Sequence, residues 1–254
     1  MEAIRYGSLF SGVGAFEEAL QDLSIPYNLV FFSEIDKYAT QAYCLAHDIN
    51  PGRNLGDITK IRLEDLPLGL DLVTYGFPCQ DISVAGKGKG FEHEGKQTRS
   101  GLFYNAMDVI EHVEPLIAIA ENVKNLVGKR FTNEFSIVLG SLELAGYENK
   151  WQVLNSCDYG IPQNRERVFI VSLKNEELTD SLFYFAEGRP LHLCLGDILE
   201  SDVDEKYYLT KKQIEGILFS SYGVTKSSIH ERGGLCRTLC ARDYKGPKCV
   251  KLND

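Results

Sequence analysis

Short apolar segments alternate with amphipathic segments along the first two thirds of the chain. Residues 29–32 and 72–75 are uninterrupted apolar or β-branched runs typical of buried strands, and residues 103–113 repeat apolar side chains at helical spacing. The same patterns predict strands at 3–9, 115–120, 150–155 and 168–172, and helices after residue 14 and at 135–145. Strands that alternate with helices favour an α/β fold with a doubly wound, Rossmann-like sheet over residues 1–173. Residues 175–235 carry no comparable pattern, and we expect them to be irregular.

The run at 72–75 continues into Gly76-Phe77-Pro78-Cys79. Pro78 fixes its own φ and lacks an N–H donor, so the predicted strand ends at the cysteine. A thiol at the carboxyl end of a strand in an open α/β sheet faces the crevice where such sheets bind ligands. Cys79 is therefore a candidate nucleophile, although a free cysteine more often only fills the core.

Composition sets limits on location and partners. The chain has 254 residues, no apolar run near the ~20 residues of a membrane span, and no secretory signal at its start, so we expect a cytoplasmic protein without membrane contact. Its net charge is −9, but residues 226–254 carry 7 Lys and Arg against 3 Asp and Glu. Local basic strips of this kind can still bind a phosphate backbone.

Three motifs in order resemble those of the cytosine-C5 DNA methyltransferases of bacterial or phage type. They are GFPCQDIS around Cys79, ENV at 121–123 and QNRERVF at 163–169, and the resemblance covers residues 4–172. The family implies that the Cys79 thiolate adds to C6 of a cytosine flipped out of double-stranded DNA. It also implies that Glu121 donates a proton to N3, that Arg167 holds O2 and that Arg165 braces the site. The glycine-rich segment 86–90 would close over the base.

The resemblance further implies S-adenosylmethionine (SAM) as the methyl donor. FSGVGAFE at 10–17 resembles the loop that cradles its methionine part, Glu34 would hold the ribose, Ile35 would pack on the adenine, and Asp57 would accept from the adenine amine. On the residues alone, a single GxG is weak evidence and Glu34 could be a solvated carboxylate at a helix start. The cofactor residues that we predict are Phe10, Gly12, Val13, Gly14, Glu34, Ile35, Asp57, Ile58, Gly76, Pro78 and Leu102.

Residues 174–254 stand where the family has its target-recognition region. Only 237–247 resemble it, as a part that lies against DNA, and the family's C-terminal motifs are missing. We therefore expect an incomplete recognition region and a second protein subunit that carries the missing motifs. The spacing of His230, Cys236, Cys240 and Cys249 fits no ordinary zinc pattern, so no metal is predicted. An RNA-directed relative and an inactive nucleic-acid-binding fragment remain alternatives.

Overall fold

The computed structural model describes residues 2–79, 90–93, 96–174, 183–219, 229–240, 243 and 248–252. Its α-helices are α1 (Ala15–Asp22), α2 (Lys37–His47), α3 (Phe103–Val113), α4 (Thr132–Leu144) and α5 (Lys211–Phe219). Its longer strands are β1 (Ile4–Leu9), β2 (Tyr27–Ser33), β3 (Leu72–Tyr75), β6 (Ile117–Val123), β7 (Glu148–Asn155) and β9 (Glu166–Leu173). The short strands are β4 (Glu92–His93), β5 (Lys96–Gln97), β8 (Gln163–Asn164), β10 (Ile229–Glu231), β11 (Cys236–Arg237) and β12 (Cys249–Lys251).

Six strands form one sheet in the order β2-β1-β3-β6-β9-β7. Strand β1 pairs in parallel with both β2 and β3, and β3 pairs in parallel with β6. The chain therefore moves outward from β1 first to one side and then to the other, which creates a switch point at the carboxyl ends of β1 and β3. This arrangement confirms the predicted doubly wound α/β fold.

Two apolar clusters cover opposite faces of the sheet. In β6, Ile117 and Ile119 belong to one cluster, whereas Ala118 and Ala120 belong to the other, because successive strand residues point to opposite faces. Helices α1 and α2 contribute to the first cluster through Phe16, Leu20, Tyr43 and Cys44. Helices α3 and α4 contribute to the second through Phe103, Ala106, Met107, Val109, Ile110, Val113, Val138 and Leu142.

The chain divides into two compact units that are not continuous in sequence. One comprises Met1–Val153 with Arg167–Phe185, and the other comprises Leu154–Glu166 with Ala186–Asp254. In the second unit, β8 pairs in parallel with β11, and β10 pairs in parallel with β12. The functional boundary expected after residue 173 stays a prediction.

The expectation that residues 175–235 are irregular is wrong for helix α5. The Thr210 hydroxyl accepts from the backbone N–H of Gln213 at 3.3 Å, and the Gln213 side chain accepts from the backbone N–H of Thr210 at 2.8 Å. This reciprocal pair is a capping box, which satisfies two N–H groups that a helix start would leave unpaired. The T-x-x-Q pattern at 210–213 indicates this helix start in the sequence, but the spacing of apolar residues does not show it.

Within the described ranges, every helix is too short or too polar to cross a membrane.

A buried carboxylate joins the first helix to the sheet. Glu17 is only 1% exposed, and its Oε1 accepts hydrogen bonds from the Tyr6 hydroxyl at 3.0 Å and the Tyr43 hydroxyl at 2.7 Å. Burial, and then the Glu17 charge, raise the pKa of both tyrosines, so their hydroxyls remain donors at neutral pH. Tyr6 also shares a 2.6 Å hydrogen bond with the Thr74 hydroxyl of β3. The Glu17 carboxylate of α1 thus links β1 and α2 directly, and it reaches β3 through the Tyr6 hydroxyl.

We expect Tyr43→Phe to lower the free energy of unfolding by about 1–3 kcal/mol, because it removes a donor from a buried carboxylate. Tyr27→Phe is the matched control, since the Tyr27 hydroxyl only accepts from Gln21 near the surface. It should cost under about 0.5 kcal/mol. Urea unfolding followed by circular dichroism measures both values, and equal losses would contradict the role given to Glu17.

Candidate active site

The predicted catalytic groups lie at one edge of the sheet. Cys79 follows the carboxyl end of β3, and Glu121 lies near the carboxyl end of the neighbouring parallel strand β6. Strand β9 runs antiparallel to β6, so its amino end, which carries Arg167, reaches the same edge. Three separate segments therefore bring a thiol, a carboxylate and a guanidinium to the crevice of an open α/β sheet.

Glu121 and Arg167 form a direct ion pair. Arg167 Nε lies 2.8 Å from Glu121 Oε1, and the two side chains are 17% and 27% exposed, respectively. Arg167 stands opposite Val123 in the antiparallel register, two residues beyond Glu121, so both side chains project from the same face. A guanidinium therefore contacts the Glu121 carboxylate directly. The sequence did not reveal this contact because it depends on the direction of β9.

The backbone before Cys79 is held by an asparagine that the sequence analysis did not single out. Asn122 is 3% exposed, and its Nδ2 donates to the carbonyl oxygen of Phe77 at 3.0 Å. Cys79 itself is half-buried and packs against the apolar cluster that contains Phe77. Asn122 belongs to the ENV motif, and this motif was the sequence feature that could have identified it. In the ENV motif, Glu121 thus supplies the carboxylate, and Asn122 fixes residues 76–79, the candidate nucleophile loop.

The nucleophile loop also passes close to Glu121. A Cβ added at Gly76 would lie 3.6 Å from Glu121 Oε2, so only a small residue leaves this approach open. Pro78 follows two residues later and is half-buried. The segment 86–89, which we expected to close over a base, lies outside the described residues, as do 80–85.

Arg165 lies in the second compact unit, whereas Arg167 lies in the first. The backbone N–H of Arg165 donates to the Asn155 side chain at 2.9 Å, and the Arg165 carbonyl accepts from the backbone N–H of Ser156 at 3.1 Å. Residue 165 precedes β9 and is half-buried. The bracing role predicted for Arg165 stays a prediction.

The glycine turn after β1 is tied to the end of β2. The backbone N–H of Gly12 donates to Glu34 Oε2 at 2.9 Å, and that of Asp36 donates to Glu34 Oε1 at 2.7 Å. Gly12 has a φ of 58°, and a Cβ there would meet no atom within 4 Å, so the space above it is open. Each carboxylate oxygen of Glu34 keeps further acceptor capacity, which is what two ribose hydroxyls require.

The same turn is closed from behind by helix α2. Gly14 has a φ of 89°, and a Cβ there would clash with His47 Nε2. His47, which is 8% exposed, contacts the Val13 carbonyl through that nitrogen at 3.0 Å. A carbonyl can only accept, so Nε2 carries the proton. Gly14 is therefore required by both its backbone conformation and this contact, whereas the sequence showed only a GxG.

Two exposed apolar residues flank the turn. Val13 is 61% exposed and Ile35 is 74% exposed, in positions that follow β1 and β2. Phe10, with a φ of 54°, and half-buried Leu102 both pack against the second apolar cluster. Apolar surface beside the Glu34 carboxylate and an open glycine turn fits a ligand that combines an apolar ring with hydroxyls.

Asp57 caps a short 3₁₀ turn at Ile58–Lys60, where Ile58 is 7% exposed. Its Oδ1 accepts from the Thr59 hydroxyl at 2.8 Å and from the Thr59 backbone N–H at 3.1 Å, and Lys60 lies 3.7 Å from its other oxygen. These contacts, the Thr59 hydroxyl first, hold the pKa of Asp57 below its usual value. The carboxylate thus stays an acceptor at neutral pH, as binding of an adenine amine requires.

Among the residues placed in the structure, no three His, Cys, Asp or Glu side chains lie close enough together to hold a metal ion.

The chain is similar to known proteins over most of its length. A family model described as C-5 cytosine-specific DNA methylase matches residues 4–240. The orphan methyltransferase M.Rho11sI of Bacillus phage rho11s is 36% identical over 245 residues, which cover 86% of this chain and 48% of the relative. The type II methyltransferase M2.ScrFI of Lactococcus lactis subsp. cremoris is 42% identical over 199 residues, which cover 77% of this chain and 53% of the relative.

The fold is also similar to a solved one. The crystal structure of S. pombe Dnmt2 methyltransferase superimposes with a TM-score of 0.70 at 19% identity, and the match covers 100% of this chain and 77% of that chain. The chain belongs to the C-5 cytosine-specific DNA methylase family, as residues 4–240 show. It spans about half the length of the two curated relatives described above.

We expect Glu34→Gln to weaken binding of S-adenosylhomocysteine at least about tenfold, because a hydrogen bond to a charged group contributes ~1.5–3 kcal/mol. Glu18→Gln, on the exposed side of α1, is the matched control and should bind as the wild type does. Isothermal titration calorimetry gives both constants. Unchanged affinity in Glu34→Gln would exclude Glu34 as a ribose ligand.

Proposed function

We propose that this chain is the catalytic portion of a DNA (cytosine-5)-methyltransferase. It would transfer a methyl group from SAM to C5 of a cytosine flipped out of double-stranded DNA. The observation that carries the proposal is the convergence of Cys79, Glu121 and Arg167 at one edge of the sheet, with the Glu121–Arg167 distance at 2.8 Å. The family match supports the substrate class.

The residues of the first unit suit a bound SAM. The Gly12 turn would accept its methionine part, Glu34 would accept the ribose hydroxyls, and Asp57 would accept the adenine amine, with Ile35 against the ring. When bound, SAM supplies an electrophilic methyl group. Two backbone N–H groups fix the Glu34 carboxylate, which sets the direction of its oxygens.

Cys79 would act as the nucleophile. C5 of cytosine is a poor nucleophile, so a thiolate that bonds to C6 moves the electrons of the C5–C6 double bond to C5 and lets C5 take the methyl group. Loss of the C5 proton then restores the double bond as the C6–S bond breaks and the thiolate leaves. Asn122 supports this step because it fixes the Phe77 carbonyl, two residues before the sulfur.

Glu121 and Arg167 would act on the other side of the ring. For this step Glu121 must carry a proton; its transfer to N3 makes C6 more electrophilic, and the adjacent guanidinium stabilises the carboxylate that forms. The N3 proton returns to Glu121 when the thiolate leaves. The same guanidinium has further N–H donors, because Arg presents five in a fixed fork. One of them would donate to O2 of the cytosine, so the pair would both activate and orient the base.

The target cytosine must be flipped out of the duplex so that the thiolate can reach it. C6 cannot be reached inside a duplex, so the target nucleotide must leave the stack at a cost of a few kcal/mol. The second unit would supply DNA contacts, because it contains the segment 237–247 that resembles the family's DNA-contacting part. In this unit the Thr238 hydroxyl donates to the Asn164 carbonyl at 2.8 Å. Of the stretch 237–247 that we expected to lie against DNA, only 237–240 and 243 are described.

About half of each curated relative has no match in this chain. We further propose that full activity needs a segment that corresponds to this unmatched half, either on the same polypeptide or on a second subunit. Ile4, Ile117 and Ile119 remain only partly buried in the first apolar cluster, which leaves apolar surface for such a counterpart. Because relatives are named as type II and orphan phage methyltransferases, we place the activity in restriction-modification or phage self-protection.

We expect the wild-type preparation to transfer tritiated methyl groups from SAM to duplex DNA and not to tRNA. Cys79→Ser should lower this transfer by more than about a thousandfold, since a hydroxyl ionises far less readily than a thiol. Cys44→Ser, in helix α2, is the matched control. It should keep transfer within twofold, because Cys44 is not the proposed nucleophile and its thiol does not have to ionise. The assay is run with and without the product of any adjacent reading frame. Transfer to tRNA alone, or undiminished transfer by Cys79→Ser, would contradict the proposal.

A further inference from the structure

Asn54 joins the two segments that carry the proposed ribose and adenine ligands. It follows a 3₁₀ turn at Pro51–Arg53 and forms a parallel bridge with Phe32 near the end of β2. Its side chain is half-buried. Neither the motifs nor the apolar pattern of the sequence singles it out.

All four hydrogen-bonding positions of the Asn54 amide are used. Its Oδ1 accepts from the backbone N–H of Glu34 at 3.1 Å and from that of Gly56 at 2.9 Å. Its Nδ2 donates to the Glu34 carbonyl at 3.0 Å and to the Thr40 hydroxyl oxygen at 3.1 Å. A side-chain amide has two donors and two acceptor lone pairs, so this set is complete.

The orientation of the amide follows from its partners. The two groups around Oδ1 are N–H donors, and the Glu34 carbonyl on the other side can only accept. The Thr40 hydroxyl also accepts there, because its own proton is donated to the Asp36 carbonyl at 2.9 Å. A flipped amide would lose all four bonds, and an aspartate would lose the two bonds to the Glu34 carbonyl and Thr40 because it has no N–H to donate.

Through these bonds Asn54 fixes the backbone N–H and the backbone carbonyl of Glu34, and it also fixes the turn before Asp57. Gly56 has a φ of 71°, and its carbonyl accepts from the Ser33 hydroxyl at 2.8 Å, so this turn is held from both sides. We propose that Asn54 is a positioning residue for SAM that sets the direction of the Glu34 carboxylate and its spacing from Asp57. This inference rests on the proposed function, since Glu34 and Asp57 are the proposed cofactor ligands.

The test is the affinity of the 254-residue chain for S-adenosylhomocysteine, measured by calorimetry. Asn54→Asp keeps size and the acceptor toward Glu34 and Gly56 but removes both donors, so affinity should fall at least about tenfold. Asn50→Asp is the matched control, because Asn50 is exposed and its Oδ1 only accepts from the Gly52 backbone N–H at 2.8 Å. An aspartate can replace that acceptor, and affinity should stay within about twofold.

A double-mutant cycle separates positioning from a general loss of structure. If Asn54 acts through Glu34, the variant that combines Glu34→Gln with Asn54→Asp should bind little more weakly than Glu34→Gln alone. A purely structural role predicts that the two losses add. Asn54→Ser, which keeps one acceptor without a new charge, serves in the same cycle if Asn54→Asp does not fold.

Three results would overturn the inference. Additive losses in the cycle, or wild-type affinity in Asn54→Asp, would remove the positioning role while the wild-type affinity still supported SAM as cofactor. A wild-type chain that does not bind S-adenosylhomocysteine would overturn the proposed cofactor and, with it, the role of Asn54.

Discussion

The structure depends on the common direction of three neighbouring strands. Because β1, β3 and β6 run in parallel, the segments that follow β1 and β3 and the final residues of β6 meet at one edge of the sheet. The glycine turn, the nucleophile loop and Glu121 reach that edge for this reason alone. Strand β9 adds to it from the opposite direction, and its first residues, including Arg167, reach the edge because the strand is antiparallel.

The groups of the proposed site are supported by polar contacts that link distant parts of the chain. Asn122 fixes the loop before Cys79, Arg167 fixes the Glu121 carboxylate, and Asn54 fixes the backbone of Glu34. Buried polar groups of this kind hold a geometry only when their partners are complete. These contacts limit the conformational freedom of the groups that they hold, which lowers the entropy cost of ordering them on binding.

The sequence revealed the features that are local. Apolar runs located β3 and most of the other long strands, Pro78 marked the end of the nucleophile strand, and the glycines after β1 indicated a tight turn. Contacts between distant segments could not be predicted in this way. Asn122 meets Phe77 across 45 positions and Asn54 meets Glu34 across 20, and neither residue stands out by periodicity. The pairing of Glu121 with Arg167 also required the direction of β9, which a single apolar run does not specify.

Covalent capture tests the central claim that Cys79 attacks C6 most directly. Duplex DNA that contains 5-fluorocytosine is incubated with SAM and an active preparation, and the protein–DNA adduct is digested and mapped by mass spectrometry. Fluorine at C5 cannot leave as the proton does, so elimination stops and the adduct persists. The account predicts one stable, methylated adduct, linked through the peptide that contains Cys79. Methylation of ordinary cytosine by the same preparation without such an adduct, or an adduct on another cysteine, would contradict it.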